Sequence, residues 1–310
     1  MRIVLPGALP DPAAARALLP HLQQAAPTLL GWLARSRASV QPANLAAGCT
    51  AHEQWQLRER GFRPEPGQNL GAGLGPLWAA GPPDDEPVWL AELVHVSPTQ
   101  SGAAMLPAQD LHITTEQSVA LFESAQTLFA GSGFALLRDG DHRWRLRPPA
   151  ELALQSASPA LVGATSVNDW WPQDDSARPW RRLVNELQML WFDHPVNLAR
   201  QAQGLPPVNS LWLFGGARHG QLDENKAADT RTCDALQAPF AAQDWAGWLA
   251  ALAELEAQVF QPLARQGTQP GLVLIGHERF ATLTPNTLGR WKQWLPGSRD
   301  TWRKWWSPPS

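Results

Sequence analysis

Short apolar runs bounded by glycine or proline alternate along this chain with longer stretches whose leucines recur every three or four residues, the two periods that separate strands from helices. Residues 3–5, Ile-Val-Leu, predict a first core strand. Over residues 13–34, Leu18, Leu22, Leu29 and Leu33 share one helical face, and Pro20 and Pro27 are expected to kink or break that helix. Residues 49–60 predict a helix stopped by Gly61, and 63–81 a loop rich in glycine and proline. Residues 88–96, V-W-L-A-E-L-V-H-V, are the clearest strand of this half.

Residues 113–147 have a pattern of their own. Thr114 with Gln117 makes a capping box, 118–129 read as helix, and Gly131-Ser-Gly ends it. Two short strands follow at 134–137 and 143–146, joined by the turn Asp139-Gly140-Asp141. The second half then alternates helix and strand: helices at 181–192, 194–203 and 245–260, strands at 210–214 and 272–275, the strands ending in Gly215-Gly216 and Gly276-His277. The pattern predicts an α/β protein with a mostly parallel central sheet flanked by helices. Residues 1–87 and 148–310 would form the core and 88–147 a small inserted α+β subdomain.

With 310 residues, 44% hydrophobic and 17% charged, the chain can bury a large core. Its formal charge of −3 lies in no long block, so no nucleic acid partner is expected. Cys49 and Cys233 stand alone, which argues against a disulfide framework or a structural zinc site and favours a reducing, cytoplasmic setting. The apolar run after Met1 is too short for a signal segment, and no stretch reaches the about 18 apolar residues of a membrane span. P-loop, H-E-x-x-H and G-x-S-x-G patterns are absent, and Gly71-Ala-Gly-Leu-Gly lacks the strand and helix of a dinucleotide fingerprint. Residues 290–306 hold five tryptophans and five basic residues. They would dock on the domain itself, or lie on a membrane surface or a base.

The most distinctive stretch is His194-Pro-Val-Asn-Leu-Ala-Arg200, followed by Val208-Asn-Ser-Leu-Trp-Leu-Phe-Gly-Gly216. It resembles the H-P-V-N-x-x-R helix and A-N-x-x-W-x-W-G strand of archaeal-type cofactor-independent phosphoglycerate mutases, members of the alkaline phosphatase superfamily. In the same order, Gly48-Cys-Thr-Ala-His52 resembles that family's S-D-T-A-H, residues 71–81 its Gly-rich loop, and Ile113-Thr-Thr-Glu116 its I-S-T-E-E. Residues 272–277 resemble its strand before a metal-binding D-H pair. A bacterial group of Rpf-type regulatory proteins is the nearest resemblance.

The resemblance implies two divalent ions and a hydroxyl nucleophile, which require converging carboxylates and histidines. Here the family's first Asp-Gly meets Pro6-Gly7, its nucleophile Gly48, the next acid Cys49 and the late acid Gly276, while His52 and His277 remain. No second late cluster stands near residues 254–261, and no Arg-Cys-Asn motif in 91–95. No cofactor is therefore expected, with Mn or Zn reserved for the alternative of a working phosphomutase or phosphatase. His52 and His277 read as remnant ligands or as structural histidines. His194 and Asn197 would cap their helix or touch a ligand, and Asn209 would fix a turn or do the same. With Arg200, Gly215, Gly216, Arg218 and His219 they are expected to line one pocket beyond the strand at 210–214, where parallel sheets leave a crevice and amides with arginines suit an anion. The reading is a degenerate, regulatory or ligand-binding relative of the mutases, taking a phosphorylated small molecule or a protein partner. The other alternative is a binding module acting through the tryptophan-rich tail.

Overall fold

Backbone pairing divides the chain into two units, 1–44 with 227–310, and 45–226. The computed structural model describes residues 1–80, 85–100, 102–150, 152, 154–223, 229–286 and 302–307. Its strands are β1 (Arg2–Pro6), β2 (Ser36–Pro42), β3 (Val88–Thr99), β4 (Gly102–Leu106) and β5 (Ala135–Arg138). They continue as β6 (Arg143–Arg147), β7 (Ser210–Ala217), β8 (Thr230–Thr232), β9 (Gly271–Ile275) and β10 (Arg279–Pro285). The helices are α1 (Pro12–Ala25), α2 (Pro27–Ala34), α3 (Ala51–Glu59), α4 (Leu74–Trp78), α5 (Ala108–Leu111), α6 (Thr115–Phe129) and α7 (Pro159–Ala164). After them come α8 (Val167–Trp170), α9 (Arg178–Phe192), α10 (Pro195–Ala202), α11 (Gln237–Ala241), α12 (Trp245–Leu255), α13 (Gln261–Arg265) and α14 (Arg303–Trp306).

In the first unit the strand order is β2-β10-β9-β1-β8. β1 lies parallel to both neighbours, with Ile3 opposite Leu272 and Arg231, whereas β10 runs antiparallel to β9 and β2. Ile3, Val4, Leu5, Leu272, Val273 and Leu274 are fully buried, so both faces of these strands are covered and their unbroken apolar runs are explained. Leu18 and Leu22 of α1, Leu29 and Trp32 of α2, and Trp248 and Leu252 of α12 pack into one core with them. The expected long helix breaks at Ala26 (φ −148°, ψ 66°), because the residue before Pro27 is pushed out of helical geometry, while Pro20 sits inside α1. Ala26 has no capping side chain. Buried Glu256 takes the role, its carboxylate accepting from Thr28 N at 3.0 Å and Leu29 N at 3.4 Å.

In the second unit β3 is the axis. It pairs antiparallel with β7 and β6 on either side of its first half and with β4 along its second; β5 closes a hairpin on β6. Trp89, Ala91 and Leu93 face α6 and α9, and Leu90 and Val94 face Leu57, Phe62, Leu161 and Phe214. The Thr114/Gln117 capping box opens α6 as its sequence signals.

A central sheet flanked by helices holds, as does the pairing of residues 3–5 with 272–275 in one buried sheet. The strand directions differ from a mostly parallel arrangement: two of the first unit's pairings and every pairing of the second are antiparallel. The boundaries of the 88–147 insertion are also corrected. β3 takes β7 as its partner more than a hundred residues later, so 88–147 cannot part from 210–217 without tearing the sheet. The loop expected at 63–81 contains a 3₁₀ turn (Leu70–Gly73) and α4, and Gly81 lies outside the described residues. Among the described residues no helix is long and apolar enough to cross a membrane.

Candidate functional site

The turn before α3, where the resemblance places the nucleophile, is built from groups that bond one another. Gly48 has φ +76° and packs against Asn69 and Ser156, leaving no room for a side chain. Cys49 is fully buried, and burial pushes its thiol far above the ordinary range. Thr50 Oγ1 accepts from Glu53 N at 3.3 Å while Glu53 Oε2 accepts from Thr50 N at 2.7 Å, a reciprocal cap. Ser158 Oγ donates to the same carboxylate at 2.6 Å, and Gln54 Nε2 to Cys49 O at 2.9 Å. The Thr50 hydroxyl is thus engaged in starting the helix. Glu53, 4% exposed, has its carboxyl raised above the usual range by burial, against these hydrogen bonds.

A second buried acid had no counterpart in the sequence reading. Glu92 on β3 accepts from Ala108 N at 3.1 Å and stands 3.6 Å from Arg143 Nε, whose guanidinium lies 4.8 Å over the Trp78 ring. Burial pushes Glu92 up to about 7, opposed by Arg143 and the Ala108 bond and reinforced by Glu53. One acid in the apolar run V-W-L-A-E-L-V is the signal that could have found it. The group can take up or release a proton near neutrality, but only 8% of its residue surface meets solvent.

The expected pocket around residues 194–219 does not assemble, because its members lie at opposite ends of β7. At the start of the strand these side chains bond other groups of the chain. His194 Nδ1 caps α10 by accepting from Val196 N at 3.3 Å. Asn197, fully buried, donates to Trp191 O and Val208 O and accepts from Val208 N, all at 2.8 Å. Arg200, equally buried, donates to Pro206 O, Gln117 Oε1 and Leu111 O at 2.9, 2.8 and 2.6 Å. Asn209 extends the ladder to β3 by exchanging two 2.8 Å bonds with Val96. The crevice rule fails for a physical reason: β7 runs antiparallel to β3, so it is not a parallel strand with an open carboxyl end.

The far end of β7 keeps the rest. Gly215 (φ +96°) and Gly216 (φ +105°) form a bulge where any side chain on Gly216 would enter the Trp89 ring at 2.5 Å. Gln68 Nε2 donates to Gly216 O at 3.0 Å, and Gln221 Nε2 to Gln68 Oε1 at 2.7 Å. Arg218 donates to Asp85 O. Residues 60–63 run beside 218–223, joined by Asp223 N to Arg60 O at 2.8 Å and Arg63 N to Gln221 O at 3.0 Å. In this corner Arg60 Nε and His219 Nδ1 are buried with no hydrogen-bond partner among the described residues.

Among the described residues neither histidine kept from the resemblance belongs to a group of three or more His, Cys, Asp or Glu that could hold a metal ion. His52 stacks on Trp55, centroids 6.1 Å apart, and His277 is exposed with its ring 4.4 Å from Phe240. At the ends of β1 and β9, Gly7 (φ +77°) packs on Leu236 O and Phe240, its carbonyl accepting from Trp248 Nε1 at 2.8 Å. The backbone of Leu9 fills the space beside Gly276. Two divalent ions need hard oxygen and imidazole donors, and Pro6, Gly7 and Gly276, or Gly48 and a buried protonated Cys49, do not fit them. No group of three or more His, Cys, Asp or Glu that could hold a metal ion occurs among the described residues. Of the tail, 287–301 lies outside the described residues. Trp302 and Trp306 are buried in the first unit's core, Trp306 lying 6.5 Å from Trp248.

An α/β protein with a sheet flanked by helices and a glycine bulge at the end of β7 is the class these features define. No protein-family model matches the chain. Over 133 residues, 42% of the chain, it is 26% identical to a probable 2,3-bisphosphoglycerate-independent phosphoglycerate mutase of Geobacter sulfurreducens, and the match spans about a third, 32%, of that relative's length. The chain is thus distantly similar to the mutases its motifs resemble. Among solved structures, the PH0037 protein from Pyrococcus horikoshii aligns over 92% of this chain and 87% of its own at 12% identity, TM-score 0.46. The cofactor-independent phosphoglycerate mutase from Thermoplasma acidophilum aligns over 93% and 90% at 12% identity, TM-score 0.35.

Proposed function

We propose that this chain is a catalytically degenerate, regulatory relative of cofactor-independent phosphoglycerate mutases, of the Rpf type, working in the cytoplasm by binding rather than by turnover. The observation that carries this reading is what stands at the strand ends: Pro6 is buried where the resemblance places the first acid, Gly7 beside it packs on Leu236 O and Phe240, and a side chain at position 276 would meet Leu9 O. The place where the family's acids would converge is filled by backbone. The ligand is a small phosphorylated anion held at the Arg60, Arg218 and His219 corner, where Arg60 Nε is a buried, unpartnered donor of the kind that charge-assisted bonds to phosphate use.

The test is a metal analysis of the purified chain together with a phosphoglycerate mutase assay in added Mn²⁺ or Zn²⁺. Expected are no pair of bound ions and no interconversion. Turnover that His277→Ala abolishes would overturn the reading and return the chain to the enzymes.

A further inference from the structure

At the start of β7 lies a cavity of about 300 Å³, none of whose lining residues belongs to the corner at Arg218. Its volume is at the small end of the range for ligand sites. The apolar part of the wall is Val96, Ala103, Val167 and the indole of Trp171, members of the core layer that holds Leu90 and Val94. That wall is fixed from behind. Val96 is clamped by its two bonds with Asn209, and Trp171 ends α8 with its N–H donating to Val167 O at 2.8 Å. The Trp171 ring leans on Trp212, centroids 5.9 Å apart, and Trp212 is held in turn by donating Nε1 to Ala157 O at 2.8 Å.

The polar part of the wall is four side-chain amides and one hydroxyl, with no ionisable group. Asn185 and Gln188 stand one turn apart on α9 and present two amides side by side. Asn168 of α8 leans over Gly102, where any side chain would collide with its amide, and Gln173 follows on the chain after α8. Ser210 of β7 completes the set at 2% exposure. Among the described residues no hydrogen bond engages the side chains of Asn185, Gln188 or Ser210. For a residue buried as Ser210 is, that is exceptional, because buried hydroxyls are ordinarily bonded.

We infer that this cavity binds a neutral sugar ring, its hydroxyls bonded by the amides and by Ser210 and one C–H face laid on Trp171. The wall has no charge to meet a phosphate or carboxylate, which would lose its water without compensation. Each amide sets a donor and an acceptor on neighbouring atoms, and a hydroxyl is both at once, so adjacent sugar hydroxyls pair with them in either direction. The electron-rich face of the indole takes the polarised C–H groups of the ring. A nucleobase also stacks on an indole, but the rest of this apolar wall is aliphatic and gives its second face no ring. Ligand class and place both differ from the anion proposed at the Arg218 corner.

Saturation-transfer NMR of the full chain with glucose, galactose, N-acetylglucosamine, maltose and cellobiose, then calorimetry on those that respond, tests this. At least one should bind. Removing both amides of α9 by Asn185→Ala with Gln188→Ala should weaken that binding about tenfold or more while thermal unfolding stays unchanged, since neither side chain bonds the rest of the chain. Ser210→Ala should weaken it too, yet leave the free chain as stable as before or more so, because the hydroxyl removed has no partner. Arg218→Ala should leave sugar binding untouched, which separates this cavity from the anion corner. No transfer to any of these sugars, transfer to adenine but to none of them, binding indifferent to the Asn185 and Gln188 changes, binding lost in Arg218→Ala, or a Ser210→Ala chain that loses stability but not binding would each overturn it.

Discussion

Ser158 Oγ donates to Glu53 Oε2 at 2.6 Å, joining two buried residues 105 positions apart in sequence. Ser158 also caps α7 by accepting from Leu161 N at 3.2 Å, so one hydroxyl starts a helix and satisfies the carboxyl that starts another. The bond ties the α3 turn to the start of α7.

Removing that hydroxyl should show its double role. Ser158→Ala leaves a buried carboxyl short of a donor and α7 without its cap, and should lower stability by about 3 kcal/mol, the sum of an unsatisfied buried group and a lost cap. Ser166→Ala, which removes only the cap of α8, should cost about 1 kcal/mol. Urea denaturation of both variants checks the contrast, and equal losses would mean that the Glu53 bond adds nothing.

Glu92 makes stability depend on pH. Its folded pKa of about 7 lies above the ordinary value of 4.5, so the folded state keeps a proton that the unfolded state releases between these values. Stability is therefore greatest below that window and falls as pH rises through it, by about 3 kcal/mol for Glu92 alone. Buried Glu53, raised in the same direction, adds to the slope. Glu92→Gln should shrink the difference in unfolding free energy between pH 5 and pH 8. An unchanged difference would show that Glu92 does not titrate in this range.

The two arginines once expected in one pocket should separate by assay. Arg200 donates three hydrogen bonds, two of them to backbone carbonyls, from a fully buried position, so Arg200→Ala should destabilise the chain by about 3 kcal/mol or more. Arg218→Ala should leave unfolding nearly unchanged but weaken binding of 3-phosphoglycerate, measured by calorimetry, by about 1.5–3 kcal/mol. Loss of folding in Arg218→Ala, with no change in binding where it survives, would remove the corner from the functional reading.

Trp306 tests the tail. It is 1% exposed between Trp248, Trp302 and Trp305, and Trp306→Ala should cost about 3–5 kcal/mol in thermal unfolding, as expected for emptying an indole-sized space. A variant as stable as the wild type would put this ring back among candidates for an external partner.

Local order was legible wherever one residue's chemistry acts over a single turn of chain. The break before Pro27, the Thr114/Gln117 cap, the Asp139-Gly140 hairpin and the doubly buried runs of β1, β3 and β9 all follow from backbone restriction, capping and side-chain period, which neighbours in sequence decide. Partners were not legible. The apolar run of residues 88–96 tells that β3 is a strand but not that β7 lies beside it, and with β7 antiparallel the crevice that would have gathered Arg200 and Arg218 never forms. Whether Asn197, Arg200 and Asn209 serve the fold or a ligand could not be read for the same reason. A donor's function is set by which carbonyl comes to it, and the carbonyls of Val208, Leu111 and Val96 are brought there by tertiary pairing alone. That Pro6, Gly48, Cys49 and Gly276 offer no carboxylate or hydroxyl could be read from residue type. That the vacated strand ends at Gly7 and Gly276 are filled by the backbone of Leu236 and Leu9 could not, since close packing between distant segments is decided only when the chain has folded.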